Sequence, residues 1–258
     1  MGASPLGIVD HLQFGNPENE EIFWTFSETI KGIIDYCKFM NIPVVGGKVS
    51  LYNETQSGAI KPSPVIGMLG IIDSKKKIKY PKYVSNQSIF IVGTTKNEMG
   101  GSEYFEYCLN VLGGKVPHVD LEEQRSIVET IRNLIDDDLI TGVHDCSKGG
   151  IIFTLLEMAI HSKVGFRISV DKIPNECSRL DYLFFSESHS RFIFSTQHDS
   201  EVIKYLKKQG IPFARIGYSS NDKNCVIDRK GKTIFRSSLD TISRRYSDAL
   251  SNLFAKST

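Results

Sequence analysis

Hydrophobic and polar positions along this chain follow two rhythms, an alternating one and a helical one. PLGIVDHLQF, residues 5–14, reads as a β-strand. GNPENEE follows, placing Asn16 to cap a helix and Pro17 to take its first position. Apolar residues at Ile22, Phe26, Ile30, Ile33 and Cys37 then keep helical spacing, which predicts one helix of about 20 residues. IPVVGGKVSLYN and PSPVIGMLGIID, separated by a polar loop, read as neighbouring strands of a well-covered sheet. The basic, turn-rich DSKKKIKYPKYVSNQ ends this region and SIFIVGTT begins another strand, so a domain boundary is expected near residue 86, dividing 1–85 from 86–258.

The second region alternates strands and helices. GGSEYFEYCLNVLGG, bracketed by glycines, is predicted as a helix. VDLEEQRSIVETIRNLIDDDLI starts with Asp120 and Glu123 at capping-box spacing and carries Leu121, Ile127, Ile131, Leu134 and Ile135 on one face. After it come a strand and glycine turn at GVHDCSKGG, a helix at IIFTLLEMAIHSK, and strands at GFRISV and SRFIFSTQ. SEVIKYLKKQG closes a short helix on Gly210, and CVIDRKGKTIF is a hairpin turning at Lys230 and Gly231. An amphipathic helix through Leu239, Ile242, Tyr246, Leu250 and Leu253 ends the chain. The class is mixed α/β in two regions.

Composition narrows the function classes. With 31 basic and 30 acidic residues in 258, the charge balance argues against broad nucleic-acid binding, so any anion site is local. The longest apolar runs fall short of the roughly 20 residues that span a bilayer, and MGASPLGIVD has neither a basic region nor an apolar one behind it; no membrane association and a cytoplasmic location are expected. Cys37, Cys108, Cys146, Cys177 and Cys225 are scattered and odd in number, which predicts free, mostly buried thiols.

Four stretches carry candidate chemistry. In PVVGGKVS, glycines at a strand end expose backbone N–H groups while Lys48 and Ser50 add a cation and a hydroxyl; this suits either a phosphate cradle or close strand packing. In HDCSKGG, residues 144–150, Asp145 is placed to hold a magnesium ion near a helix N-terminus, or Asp145 or Ser147 to cap that helix. FSESHSR, residues 185–191, crowds Glu187, three serines, His189 and Arg191 between apolar strands, either as a polar cluster awaiting a ligand or as a surface turn. MGGSEYF, residues 99–105, most simply starts a helix.

Taken in order, DHLQFGNPE, PVVGGKVSLYNET, PVIGMLG, GGSEY, HDCSKGG and FSESHSR resemble the synthetase subunit of the phosphoribosylformylglycinamidine synthase family, along essentially the whole chain. The resemblance is to the C-terminal part of that subunit and implies a PurM-like fold: a partial ferredoxin-like α+β domain followed by an α/β domain. It further implies an ATP-dependent carbon–nitrogen ligase in purine biosynthesis, which turns formylglycinamide ribonucleotide into the amidine with ammonia from glutamine. By resemblance ATP and Mg2+ are the cofactors. The implied partners are the subunit's N-terminal module, a glutaminase subunit and a small bridging subunit, with a homodimer through the N-terminal region when the chain is alone.

Carried over by motif, Asp10, Gly47 and Lys48 fall at the ATP site and Ser50 at the nucleotide-substrate site. Asp145 is the candidate metal ligand, and Glu187 and Ser188 belong to an auxiliary nucleotide site. The family's catalytic histidines lie in the first module, so no catalytic acid or base is expected here, and the chain is expected to be a fragment or one product of a split gene. Lys48 stands where smaller relatives use asparagine on magnesium; an ammonium has only donors and cannot ligate a cation, so either the metal moves or Lys48 itself meets a phosphate oxygen. His11 and Gln13 depart from DCLNFGNP, and Lys148 replaces the acid of HDxSDGG. A non-catalytic structural module and a dimeric selenophosphate- or aminoimidazole-type synthetase remain the competing readings.

Overall fold

The first strand, β1 (Ser4–Gln13), turns Ile8 and Leu12 inward and leaves Val9 between them 47% exposed, the period of two that a half-covered strand requires. The computed structural model describes residues 2–249 and 251 and divides into two units, Gly2–Ile78 and a second beginning at Lys79. In the first, α1 (Glu20–Met40) is capped by Asn19, whose side-chain oxygen accepts from the N–H of Glu21 at 3.0 Å and of Ile22 at 3.4 Å. Asn16, expected as the cap, instead accepts from the N–H of Glu18 at 2.9 Å. That local turn uses its side chain before the helix begins.

The crossover through α1 lays β2 (Val44–Ser50) parallel to β1, with Asp10 opposite Gly47 and Gln13 opposite Ser50. β3 (Glu54–Thr55) and β4 (Gly58–Ala59) form a short hairpin, and β5 (Ser63–Ile71) runs antiparallel to β1 on its other side. The sheet order is therefore β2-β1-β5. Two expectations change. The strands in PVVGGKVS and PVIGMLG flank β1 rather than each other, and their sheet is covered on one face only. On that face Cys37 of α1 packs with Ile8 and Ile42. On the other, Val45, Val65 and Leu69 stand 70%, 55% and 70% exposed. An apolar run reads the same whether its second face is buried or bare, which is why hydropathy alone does not separate the two cases.

The second unit is built on β6 (Ser88–Val92), all apolar in its last four positions because both faces are covered. Ile89 and Ile91 join one core and Phe90 and Val92 the other. α2 (Leu121–Asp136) packs Ile127, Ile131, Leu134 and Ile135 into the second core, and Asp120 accepts from the N–H of Glu123 at 2.9 Å as its cap. β7 (Gly142–Asp145) leads into α3 (Gly150–Ser162), β8 (Gly165–Ser169), the short α4 (Leu180–Phe185), β9 (Phe192–Thr196) and α5 (Asp199–Gln209). β10 (Phe213–Ser220), β11 (Asn224–Arg229) and β12 (Lys232–Ser238) complete a seven-stranded sheet in the order β12-β11-β8-β10-β6-β9-β7. α6 (Leu239–Ser247) buries Leu239; Leu250 and Leu253, assigned to the same helix by periodicity, lie outside the described residues.

GGSEYFEYCLNVLGG does not form the expected helix. It makes a single π-type turn at Tyr104–Cys108, after which Asn110 adopts φ 52°. The chain then folds back until the N–H of Gly100 donates to the carbonyl of Lys115 at 2.8 Å. Leu109, Val111 and Leu112 are left exposed. No helix among the described residues is long and apolar enough to cross a membrane.

Candidate functional site

In the first unit the strand-end residues separate onto two faces. The Asp10 carboxylate lies over Gly47, so close that a Cβ built there would stand 2.5 Å from Oδ2 and 2.7 Å from Cγ. Only a residue without a side chain allows that approach. Lys48 is the next residue of β2, and alternation sends it to the opposite face beside His11, its partner in register. It is exposed and, among the described residues, makes no ion pair or side-chain hydrogen bond. Ser50 ends the strand with its Oγ 3.2 Å from Oδ1 of Asn53. Asn53 is fixed in turn, because its Nδ2 donates to the carbonyls of Phe14 and Ser50 at 2.9 Å each. The structure thus joins Asp10 with Gly47, and places Lys48 and Ser50 on the open side of the sheet.

The second unit gathers HDCSKGG and FSESHSR at one end of its sheet. Neither Asp145 nor Ser147 caps α3; its cap is Gly149, with φ 73° and no side-chain bond, followed by Gly150 at φ 67°. The partner of the helix end comes from elsewhere: Oε1 of Glu187 accepts from the N–H of Gly149 and of Glu103, both at 2.9 Å. A carboxylate is well placed there, since open amides and the helix dipole both favour negative charge. A Cβ on Gly150 would meet the carbonyl oxygens of Phe184 at 2.5 Å and Ser186 at 2.7 Å, so the two motifs touch through bare backbone.

FSESHSR is not a surface turn. Ser186, Ser188 and Arg191 are 0%, 1% and 1% exposed, and the guanidinium of Arg191 donates to the carbonyls of Ser188 and Ser186 and to Oγ1 of Thr95 at 2.7–3.0 Å. Ser188 accepts from the N–H of Lys96 at 3.0 Å and pairs with Ser186 at 2.9 Å. Burying the side chains of Ser186, Ser188 and Arg191 is tolerable because each finds a partner within the cluster. Sequence reading missed the third contributor, TTKNEMGG, whose Thr95, Lys96 and Glu98 supply those partners. The signal was a polar stretch directly after the buried β6.

A cavity of about 500 Å3 opens beside this cluster, with Asp145, Ser147, Lys148, Glu187, His189 and Arg191 among its lining. Asp145 is half-exposed at the rim, 3.2 Å from Nδ1 of His144, whose Nε2 lies 3.3 Å from Glu157. The hydrogen bond between them raises the pKa of His144 and, with the imidazole's charge, lowers that of Asp145; partial burial opposes both. Lys148 extends into solvent with its ammonium 2.7 Å from Glu103. Among the described residues no group of three or more His, Cys, Asp or Glu side chains is arranged to hold a metal. Asp145 therefore suits a magnesium ion only if phosphate oxygens and waters complete the shell, which is the usual habit of that ion.

Residues 85–230 match the model of the AIR synthase related protein C-terminal domain, and residues 1–72 match that of the N-terminal domain. The chain belongs to the AIR synthase related family. It is 39% identical over 245 residues to the phosphoribosylformylglycinamidine synthase subunit PurL of Caldanaerobacter subterraneus, covering 94% of this chain and 33% of the relative. To the subunit PurL of Methanothermobacter marburgensis it is 40% identical over 222 residues, covering 84% and 30%. The chain thus spans about a third of the length of these relatives. The fold is that of T. maritima PurL complexed with FGAR, with a TM-score of 0.75 at 17% identity over 94% of this chain and 40% of that one. E. coli HypE, a hydrogenase maturation protein, superposes at 0.69 with 16% identity over 90% and 73%. The resemblance drawn from six ordered motifs and the PurM-like α/β class are both borne out.

Proposed function

We propose that this chain supplies the C-terminal part of a phosphoribosylformylglycinamidine synthase subunit, an ATP-dependent ligase that replaces an amide oxygen of formylglycinamide ribonucleotide with ammonia drawn from glutamine. The observation that carries the reading is 39% identity to a PurL subunit in an alignment covering 94% of the chain. By motif Asp10, Gly47 and Lys48 belong to the ATP site; Asp10 and Gly47 meet on one face of β1 and β2, and Lys48, on the other, offers its ammonium to a phosphate. Ser50, held by the Asn53 turn, faces the nucleotide substrate. ATP supplies the phosphoryl group that makes the amide oxygen a leaving group, and positive charge around that group is what the reaction demands.

Asp145 is the metal ligand of an auxiliary nucleotide site. Glu187 and Ser188 belong to that site as positioning residues: one Glu187 oxygen is taken by two backbone amides, and the Ser188 hydroxyl is buried and bonded. Mg2+ is the expected ion, and the cell interior the expected location. The remaining two-thirds of the subunit is the first partner, and the open face of the β2-β1-β5 sheet is where it docks, or where two copies meet when the chain is alone. A glutaminase and a small bridging subunit complete the assembly; a solved structure of PurLQS from T. maritima includes the fold described here.

The test is ATP-dependent conversion of formylglycinamide ribonucleotide with ammonium as nitrogen donor, by this chain alone and by its mixture with the N-terminal two-thirds of a PurL subunit. Turnover in the mixture only supports the reading. Turnover by the chain alone overturns its incompleteness, and none in either case leaves a structural module.

A further inference from the structure

A second cavity of the unit beginning at Lys79, about 360 Å3, opens between the Tyr104–Cys108 turn, the start of α3 and α6. Asp145, Glu187 and Ser188 do not line it, although Lys148 lines both cavities, so it is a separate pocket beside the one described above. Its walls are aromatic: Tyr104, Tyr107, Phe153, Phe185 and Tyr246. The rings of Tyr104 and Phe185 stack with centroids 4.4 Å apart and planes 2° from parallel, which makes a flat, fixed surface. The size suits a small organic ligand.

The polar groups at its edge accept more than they donate. Lys148 spends one of its three donors on Glu103 at 2.7 Å, and the Tyr246 hydroxyl donates to Oε1 of Glu157 at 3.3 Å and the Tyr104 hydroxyl to Asp181 at 3.3 Å. Glu103 and Glu157 each keep spare acceptor positions, since a carboxylate has about four. Lys148 beside Glu103 offsets one of the two negative charges. A matching ligand is flat and carries N–H donors.

We propose that this cavity binds a flat, amino-substituted nitrogen heterocycle, stacked on the aromatic wall with its amino group donating to Glu103 or Glu157. Cys108 gives the readout, because it lies on the lining and is exposed. Cys37, Cys146 and Cys225 are buried, and burial pushes the Cys177 thiol up to about 11. Alkylation of Cys108 by iodoacetamide is followed by peptide mass spectrometry with adenine as probe. The expected result is saturable protection by adenine, with purine, which lacks the amino group, needing about tenfold more for the same effect. Phe153→Ala weakens protection about tenfold or more. Should that variant fail to fold, Tyr107→Ala, altering a side chain on a residue 75% exposed, does the same. No protection at millimolar adenine, equal protection by purine, stronger protection by tetramethylammonium, or protection untouched in folded Phe153 and Tyr107 variants each overturns the proposal.

Discussion

The carboxylate of Asp10 occupies the space that a side chain on Gly47 would need: Oδ2 lies 2.5 Å from the position of a Cβ there. The adjacent glycine is different, because a Cβ on Gly46 would meet only Cγ1 of Val9, at 3.9 Å. Of these two neighbouring glycines, Gly47 is held small by the side chain above it and Gly46 is not. Gly47→Ala should displace the carboxylate and, in the reconstituted synthetase, lower ATP-dependent turnover about tenfold or more. Gly46→Ala should stay within about twofold, as expected of a change that adds only ordinary contact. Steady-state kinetics on both, with circular dichroism to check folding, decides it; equal losses would show that the contact between Asp10 and Gly47 is not what matters.

Glu187 links three segments through one oxygen, and its loss should be read first in stability. Glu187→Ala leaves the amides of Gly149 and Glu103 without an acceptor, which costs about 1–3 kcal/mol. Glu187→Gln keeps an acceptor oxygen and should recover about half of that, losing only the attraction of a carboxylate to the helix end. Urea unfolding of the two variants measures the difference. If alanine and glutamine are equally harmful, charge rather than hydrogen bonding holds the segment.

His144 offers a pH test with a definite sign. Its pKa is raised in the folded protein, chiefly by the hydrogen bond to Asp145, so its contribution is complete below the unfolded value near 6.5 and fades as pH rises through the folded value. Asp145 is lowered, so its share is present above about 3.9 and is lost as pH falls through the folded value. His144→Gln should accordingly be most destabilising near pH 5.5 and progressively less so as pH rises through the folded value, measured in chelator. Asp145 is half-exposed, and solvent screening holds the difference to on the order of 1 kcal/mol or less.

Some of the architecture was legible in the chain and some was not, for physical reasons. α2 could be drawn from its cap and its four buried apolar positions because local signals and tertiary packing agree there. The Tyr104–Cys108 segment misled because glycines on both sides look like helix ends, whereas the determining contact, Gly100 to Lys115, joins residues that propensity does not relate. β10 has no clean alternation and runs through Gly217, whose closeness to the carbonyl of Arg167 only the fold reveals. In the second unit residue type picked out Asp145 and Glu187, but not that Glu187 serves the α3 end while Asp145 stays at a rim. Residue type announces chemistry; which neighbour uses it is settled by long-range geometry.

The open sheet face makes the last prediction. Val45, Val65 and Leu69 project, exposed, from the two strands flanking β1, and Gly7, Gly46 and Gly67 among them keep the surface low. A shallow apolar sheet of this kind suits another sheet laid upon it more than a small ligand, and left bare it favours self-association. Charge placed at its centre should act on both outcomes. Val45→Lys and Leu69→Lys alter residues 70% exposed, so each should leave the Ile8, Cys37 and Ile42 core and the unfolding midpoint nearly unchanged. Light scattering after gel filtration should show the unmodified chain associating at high concentration and the double variant shifted toward monomer. The same variant should bind the N-terminal two-thirds of the subunit about tenfold or more weakly, because a buried unpaired ammonium is costly at the centre of an interface. A chain that is monomeric at every concentration, or a double variant that complements as well as the unmodified one, would place the docking surface elsewhere.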